Sequence, residues 1–312
     1  MIDEPSKKSI DLTKLPREPW FRSAHLFGEG VQWVTADSAH WIEASYPRRD
    51  RLRAIWQFLS WHLSDGVPGR LDILERVWYF PWTESEAESE MAFAYAIAGL
   101  HRASIDHARR ALELVVVGAY FVADHVDERS GQEWLASREE TPLFSRALKA
   151  LVKAGFAKEV AEHTAWRNEL QDHYWALSDS VHVRGTKFGL RTMQSSNAVI
   201  SGFPMIGFSP ERLGLSLDLL IRTGELTLAT LAITNPVLLF GVPISEKYGL
   251  NGPIGFYEKG IAEELRELLP DSLRDSFIEL AAKDEGVISL REHFDRQPDI
   301  TEDEVQAQIR DI

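Results

Sequence analysis

Apolar residues recur along most of this chain at the three- and four-residue steps of a helix, and strand-like alternation is scarce. Over 50–63, Leu52, Ile55, Trp56, Leu59 and Leu63 share one face, and Gly66, Pro68 and Gly69 end the run. A second helix is expected at 71–80. From about Glu84 to Asp124 the positions Phe93, Ile97, Leu100, Ser104, Ala108, Ala111, Val115, Ala119 and Val122 form one long stripe. Unbroken, it would run roughly 60 Å at ~1.5 Å per residue, so either a kink near Gly99 or a shorter start is expected. Alanines at 92, 94, 96 and 98 let a neighbouring helix come close.

Thr141 and Pro142 read as the N-cap and first position of a helix to about Ala154, with Gly155 just past its end. A polar-rich helix is expected from about Ala157 to Val181. Residues 184–208, with glycines and a proline, read as loop or short strand. Ser209-Pro210 opens a helix to about Thr234, which Asn235-Pro236 ends. A loop over 241–255 precedes helices at 257–268 and 271–283, and Thr301 with Glu304 forms a capping box for a short last helix. Residues 1–48 show no sustained period. They read as an irregular arm held to the body through Trp20, Phe21, Trp33 and Trp41, with Trp56 and Trp61 as further packing anchors. The expected fold is therefore all-α: a helical bundle over 49–200, with an irregular N-terminal arm and additional C-terminal helices over 209–312 as a second layer or subdomain.

Composition fits a globular chain: 312 residues, 44% hydrophobic and 26% charged, enough for a sizeable core. The lack of cysteine excludes disulfides, thiolate metal sites and cysteine catalysis. The opening MIDEPSKKSIDL has no apolar core of a signal peptide, and the apolar runs 111–123 and 226–233 are too short to span a bilayer. A cytoplasmic protein without a membrane partner is the expectation. The net charge of −14 argues against wrapping nucleic acid by general electrostatics. One local basic stretch stands out, RGTKFGLR at 184–191, where Arg184, Lys187 and Arg191 have no acid between them; the plainer reading is a solvated loop.

The chemistry-bearing run is WRNELQDHYWALSDSVHVRG, 166–185. Its polar groups occur all round the helix, with Trp166 and Trp175 among them. Asp179 and His182 have the three-residue step of bundle metal sites, but no second copy of that step is present. Glu159/His163 and Glu169/His173 are four apart, which is ordinary ion-pair spacing, so no metal is expected. The zinc-hydrolase HExxH, the serine-hydrolase elbow, the phosphate-cradling loop and the dinucleotide glycines are all lacking, and no cofactor is expected. What remains is RNELQDH, 167–173. An arginine and a histidine suffice for metal-free RNA cleavage: the histidine moves the proton of the attacking 2′-OH, and the guanidinium offsets charge on the phosphorane. Asn168 can orient the arginine or bind phosphate.

Arg167-Asn168 followed by His173 resembles the motif of the HEPN superfamily, helical-bundle domains that include RNases of toxin–antitoxin and anti-phage systems. HRASIDHARRALELVVVGAYF (101–121) is similar to the long earlier helix of such bundles, and Tyr174 to His182 is similar to a Y/W-x-x-L-S-x-x-V-H pattern of one branch. The first alignment makes His173 the motif histidine, the second His182. The resemblance spans about 85–200. It implies a metal-independent endoribonuclease acting in defence or as a toxin, with Arg167, His173 or His182 catalytic, Asn168 supporting, and Arg184, Lys187, Arg191 and Arg102 as candidate phosphate contacts. On a regular helix Arg167 and His173 would stand roughly 120° apart, so a shared phosphate needs a helix irregularity, a long arginine reach or a symmetric homodimer. The alternative is a HEPN-like bundle without catalysis that dimerises or binds a regulatory protein partner. The bland reading makes His101, His107 and His125 hydrogen-bonded core histidines, and pairs Arg102, Arg109 and Arg110 with Asp106, Glu113 or acids of neighbouring helices.

Overall fold

The computed structural model describes residues 19–60, 79–123, 126, 128–181, 207–249 and 258–310. Fourteen α-helices and no strand occur among the described residues. They are α1 (Pro19–Ser45), α2 (Arg49–Leu59), α3 (Tyr79–Ile97), α4 (His101–Phe121), α5 (Glu128–Leu135), α6 (Phe144–Leu151) and α7 (Gly155–His163). Then follow α8 (Trp166–Val181), α9 (Pro210–Thr234), α10 (Ile244–Tyr248), α11 (Lys259–Leu268), α12 (Arg274–Ala281), α13 (Glu285–Arg296) and α14 (Glu302–Arg310). A 3₁₀ turn at Pro236–Leu239 separates α9 from α10. The all-α bundle is as expected, and among the described residues no helix is long and apolar enough to cross a membrane.

Helices α3 and α4 form the tightest hairpin of the bundle. The expected long helix is divided at residues 98–100, where Gly99 adopts φ 75°, a left-handed conformation glycine takes without a Cβ clash. Ala92 and Ala96 are fully buried, as are Ser104 and Ala111 of the facing helix, so small side chains bring the backbones together. At the other end of the hairpin a Cβ on Gly118 would lie 3.1 Å from the Pro81 side chain.

Helix α9 is the hub, packing against α1, α2, α3, α4, α7, α8 and α11. Every residue from Thr223 to Ile233 is buried, so this stretch is enclosed on all sides rather than amphipathic. Its four bulkiest residues there, Leu226, Leu228, Leu231 and Ile233, each stabilise by about 1.5–3 kcal/mol on burial. The main core cluster runs from Ile42 to Ala281 and draws residues from α9, α11 and α12 as well as from the helices before them.

The N-terminal arm is a correction. Residues 19–45 are one 27-residue helix. Val34, Ser38 and Ile42 are buried at four-residue steps, and α1 packs on α3 and α9 through that stripe. Gly28, Gly30 and an outer face of mixed polarity hid the period. Trp33 is not an anchor, being 71% exposed on the opposite face, whereas Trp41 packs on Tyr46 with ring centroids 5.5 Å apart. Trp56 packs on Phe93 at 5.4 Å.

Three helix ends also differ. Thr141 does not cap; α6 starts at Phe144, and the Thr141 hydroxyl accepts from Trp134 Nε1 at 3.0 Å. The long 157–181 helix is two, because Thr164 turns to extended backbone (φ −133°, ψ 169°) and its Oγ1 accepts from Trp166 N at 3.2 Å. The 241–255 loop contains α10. The expectations at Ser209-Pro210 and Thr301 hold: Ser209 Oγ accepts from Arg212 N, and Thr301 and Glu304 bond reciprocally at 2.8 and 3.4 Å.

Gly224 sets how close α2 and α9 can come. A Cβ there would lie 2.4 Å from Ile55 Cγ2, a branched atom of a buried side chain. Gly224→Ala should destabilise by about 1–2 kcal/mol net, overpacking outweighing the gain in helix propensity. A lowered urea midpoint at unchanged m-value checks this.

Candidate functional site on helix α8

Helix α8 turns Trp166, Leu170, His173 and Leu177 inward, and all four are buried. Arg167 and Asn168 are exposed. The regular helix thus sends the arginine and His173 in different directions, and within one chain they do not meet on a common cleft. His182, Arg184, Lys187 and Arg191 lie outside the described residues, as does His125.

His173 is fixed by the hub helix. Its Nε2 lies 2.9 Å from Thr223 Oγ1. The Thr223 hydroxyl also lies 2.9 Å from the Leu219 carbonyl. A hydroxyl has one proton, so with that proton on Leu219 O the threonine oxygen accepts from His173 Nε2–H. A parallel arrangement stands two turns earlier on α9, where Ser216 Oγ lies 3.0 Å from His101 Nδ1. Both histidines are buried. Burial pushes each imidazole down to about 4, reinforced by the Arg212 charge at His101 and the Arg222 charge at His173.

Beside His173 runs a chain of charges. Arg222 of α9 bonds Glu169 of α8, and Ser272 Oγ donates to the same carboxylate oxygen at 3.1 Å. Arg222 also reaches Glu225 Oε2 at 3.3 Å. Glu225 is 8% exposed and receives two further guanidiniums on Oε1: Arg51, through Nε and Nη2 at 3.1 Å each, and Arg48 at 3.5 Å. Arg51 continues to the Glu267, Leu268 and Leu269 carbonyls at 2.6, 2.9 and 3.1 Å, satisfying the C-terminal end of α11. Arg48 continues to Asp218 at 3.3 Å, whose carboxylate accepts from the Tyr46 hydroxyl at 2.8 Å. Burial and that acid hold the Tyr46 phenol above its ordinary value.

The remaining candidates are committed elsewhere. Arg102 donates Nε and Nη2 to the Val181 carbonyl at 3.1 and 2.5 Å, closing the end of α8. Arg109 pairs with Asp106 and Glu113, and Arg110 with Glu88 and Asp106. His107 Nδ1 meets Glu88 at 2.5 Å under a stacked Tyr95 ring. Tyr174 donates to Glu113 at 2.7 Å and stacks flat on Phe144 at 3.8 Å; burial and that carboxylate raise its phenol. His163 pairs with Glu159 at 3.6 Å, but Glu169 is taken by Arg222 and does not pair with His173. Among the described residues no three metal-ligating side chains come together.

Arg222, Thr223 and Glu225, the residues that organise this region, were not singled out from the sequence. Their signal is RTGE at 222–225, a polar quartet inside the apolar LSLDLLI…LTLATLAI of one helix. Compared with family models, curated proteins and solved structures, the chain has no match.

Two outcomes follow from the burial. An imidazole lowered from about 6.5 unfolded to about 4 folded stabilises fully above pH 6.5, and that stability falls away as pH drops toward 4. At pH 5 each of His101 and His173 should cost about 2 kcal/mol relative to pH 7. Urea unfolding at both pH values, on the wild type and on His101→Gln/His173→Gln, checks this; the double variant should lose most of the drop. Glu225→Ala should destabilise by about 3–5 kcal/mol, because three guanidiniums lose their shared carboxylate. Thermal unfolding reads it directly.

Proposed function

We propose that this chain is a HEPN-like helical scaffold that pairs with a partner protein or a second copy of itself, and does not cleave RNA through Arg167 and His173. The observation that carries this is the fate of His173. It lies in the α8–α9 interface, neutral and hydrogen-bonded to Thr223, with its proton-accepting range moved to about 4. A general base for 2′-OH attack at neutral pH needs a pKa near the working pH and access to solvent-borne substrate. Arg167, the phosphate-binding half of the motif, opens to solvent on another face. The ionisable groups around α8 act as ties between helices: Glu169 to Arg222 and Ser272, Tyr174 to Glu113, Arg102 to the helix end. Large apolar side chains left open to water, Trp33, Leu143 and Trp175, are suited to a contact surface.

The test is cleavage of total RNA in EDTA by wild type, Arg167→Ala, His173→Ala and His182→Ala, each checked for fold by circular dichroism. The expected result is no cleavage by any of them, with His173→Ala lowering the unfolding midpoint and Arg167→Ala leaving it unchanged. EDTA-resistant cleavage that disappears in Arg167→Ala would restore the endoribonuclease; the histidine whose loss accompanies it would fix the register.

A further inference from the structure

Away from α8, a cleft of about 380 Å³ opens between α11 and α13, with residues 240–243 as its floor. This is within the size range of small-ligand pockets. One wall carries Lys259, Glu263 and Arg266 at successive turns of α11, and the other Arg291 and Asp295 one turn apart on α13. The floor is held rigidly. Gly241, at φ 66°, packs so close to the start of α11 that a Cβ would lie 2.8 Å from Glu258 O and Lys259 N. Val237, Val242, Ile244 and Val287 form a small buried cluster beneath it, with Phe240, Leu290 and Phe294 packed against them.

Arg291 is the informative residue. Its guanidinium sits 5.0 Å over the Phe240 ring and has no carboxylate within ion-pair distance among the described residues. A ring face positions the cation without neutralising it. Arg266 is barely neutralised, with Glu263 at the limit of contact, 4.0 Å, and Lys259 is shared with exposed Glu246 at 3.3 Å. The cleft therefore presents two underused guanidiniums and an ammonium in a protein whose net charge is −14. The guanidinium fork matches phosphate oxygens. The two acids would repel a bare phosphate, but carboxylates accept from the hydroxyls of a sugar, so cations and acids together favour a ligand with both groups.

We propose that this cleft binds a phosphorylated sugar or nucleotide, with Arg266, Arg291 and Lys259 on the phosphate and Glu263 and Asp295 accepting hydroxyl protons. This site is independent of the scaffold reading, since it uses no residue of α8.

The experiment is isothermal titration of the full chain at low ionic strength with ribose 5-phosphate, with ribose and with inorganic phosphate. Ribose 5-phosphate should bind more tightly than either fragment. Arg291→Ala and Arg266→Ala should each weaken it about tenfold or more, the loss of one charge-assisted contact. Asp295→Asn should weaken ribose 5-phosphate while leaving phosphate unaffected or tighter. Arg291 and Asp295 are exposed, so these variants should fold, and circular dichroism verifies it. No binding of ribose 5-phosphate, binding unchanged in the arginine variants, or phosphate binding as tightly as the sugar ester would each overturn the assignment.

Discussion

A single carboxylate, Glu225, sits in the middle of the hub helix with three guanidiniums around it, and much of the arrangement of helices follows from that fact. A buried carboxylate is costly unless paired, and a buried guanidinium equally so. Neither can be satisfied by its own helix alone. Arg48 and Arg51 come from the start of α2, Arg222 from α9 itself, and each guanidinium has a second obligation. Arg51 must reach the last carbonyls of α11, Arg222 must reach Glu169 on α8, and Arg48 must reach Asp218. A sliding or rotation of α2, α8 or α11 against α9 would strand at least one charge. Hydrophobic burial and close approaches such as Gly224 against Ile55 supply the bulk of the packing, and the charge network adds directional contacts that fit only this arrangement of α2, α8, α9 and α11.

The same constraint explains which parts of the fold were legible in the sequence. Helices with a strong one-sided stripe, such as α2 and α4, are readable because their apolar period survives in isolation. The start of α9 is readable because Ser209-Pro210 acts locally. The α1 helix is not, because Val34, Ser38 and Ile42 give a thin stripe preceded by Gly28, Gly30 and an exposed Trp33, and it is completed by the α3 and α9 surfaces it meets. The breaks at Gly99 and Thr164 are visible as residue types, yet only the packing on either side requires the chain to bend there. Thr141-Pro142 shows the converse: a good local start signal is overridden when Trp134 takes the threonine oxygen.

In the α8 run the density of ionisable groups is itself a signal, since buried polar groups must be paired or functional. Sequence spacing can place Arg167 and His173 on a helix, but it cannot say that the inward neighbour of His173 is a threonine fifty residues further on. Pairing partners at long sequence separation are invisible to a local motif. The pattern that would have revealed them lies on the other helix, where Ser216 and Thr223 punctuate an apolar run at two-turn spacing, each opposite a buried histidine.

That spacing gives α9 a second role beyond filling the core. From Thr223 to Ile233 the helix is buried on all sides and has no solvent-facing side to fix its rotation or its height in the bundle. The Ser216–His101 and Thr223–His173 contacts supply two such fixed points on two different neighbours, α4 and α8, and Glu225 supplies a third toward α2. Three directional contacts at different heights and azimuths are enough to define one orientation of a cylinder. Neutral histidine suits the first two positions because it offers a hydrogen bond without the desolvation cost of a charge, provided the pH stays above its unfolded range. His173, the histidine of the arginine–histidine spacing in α8, is thus placed where its hydrogen bond to Thr223 holds the central helix in register.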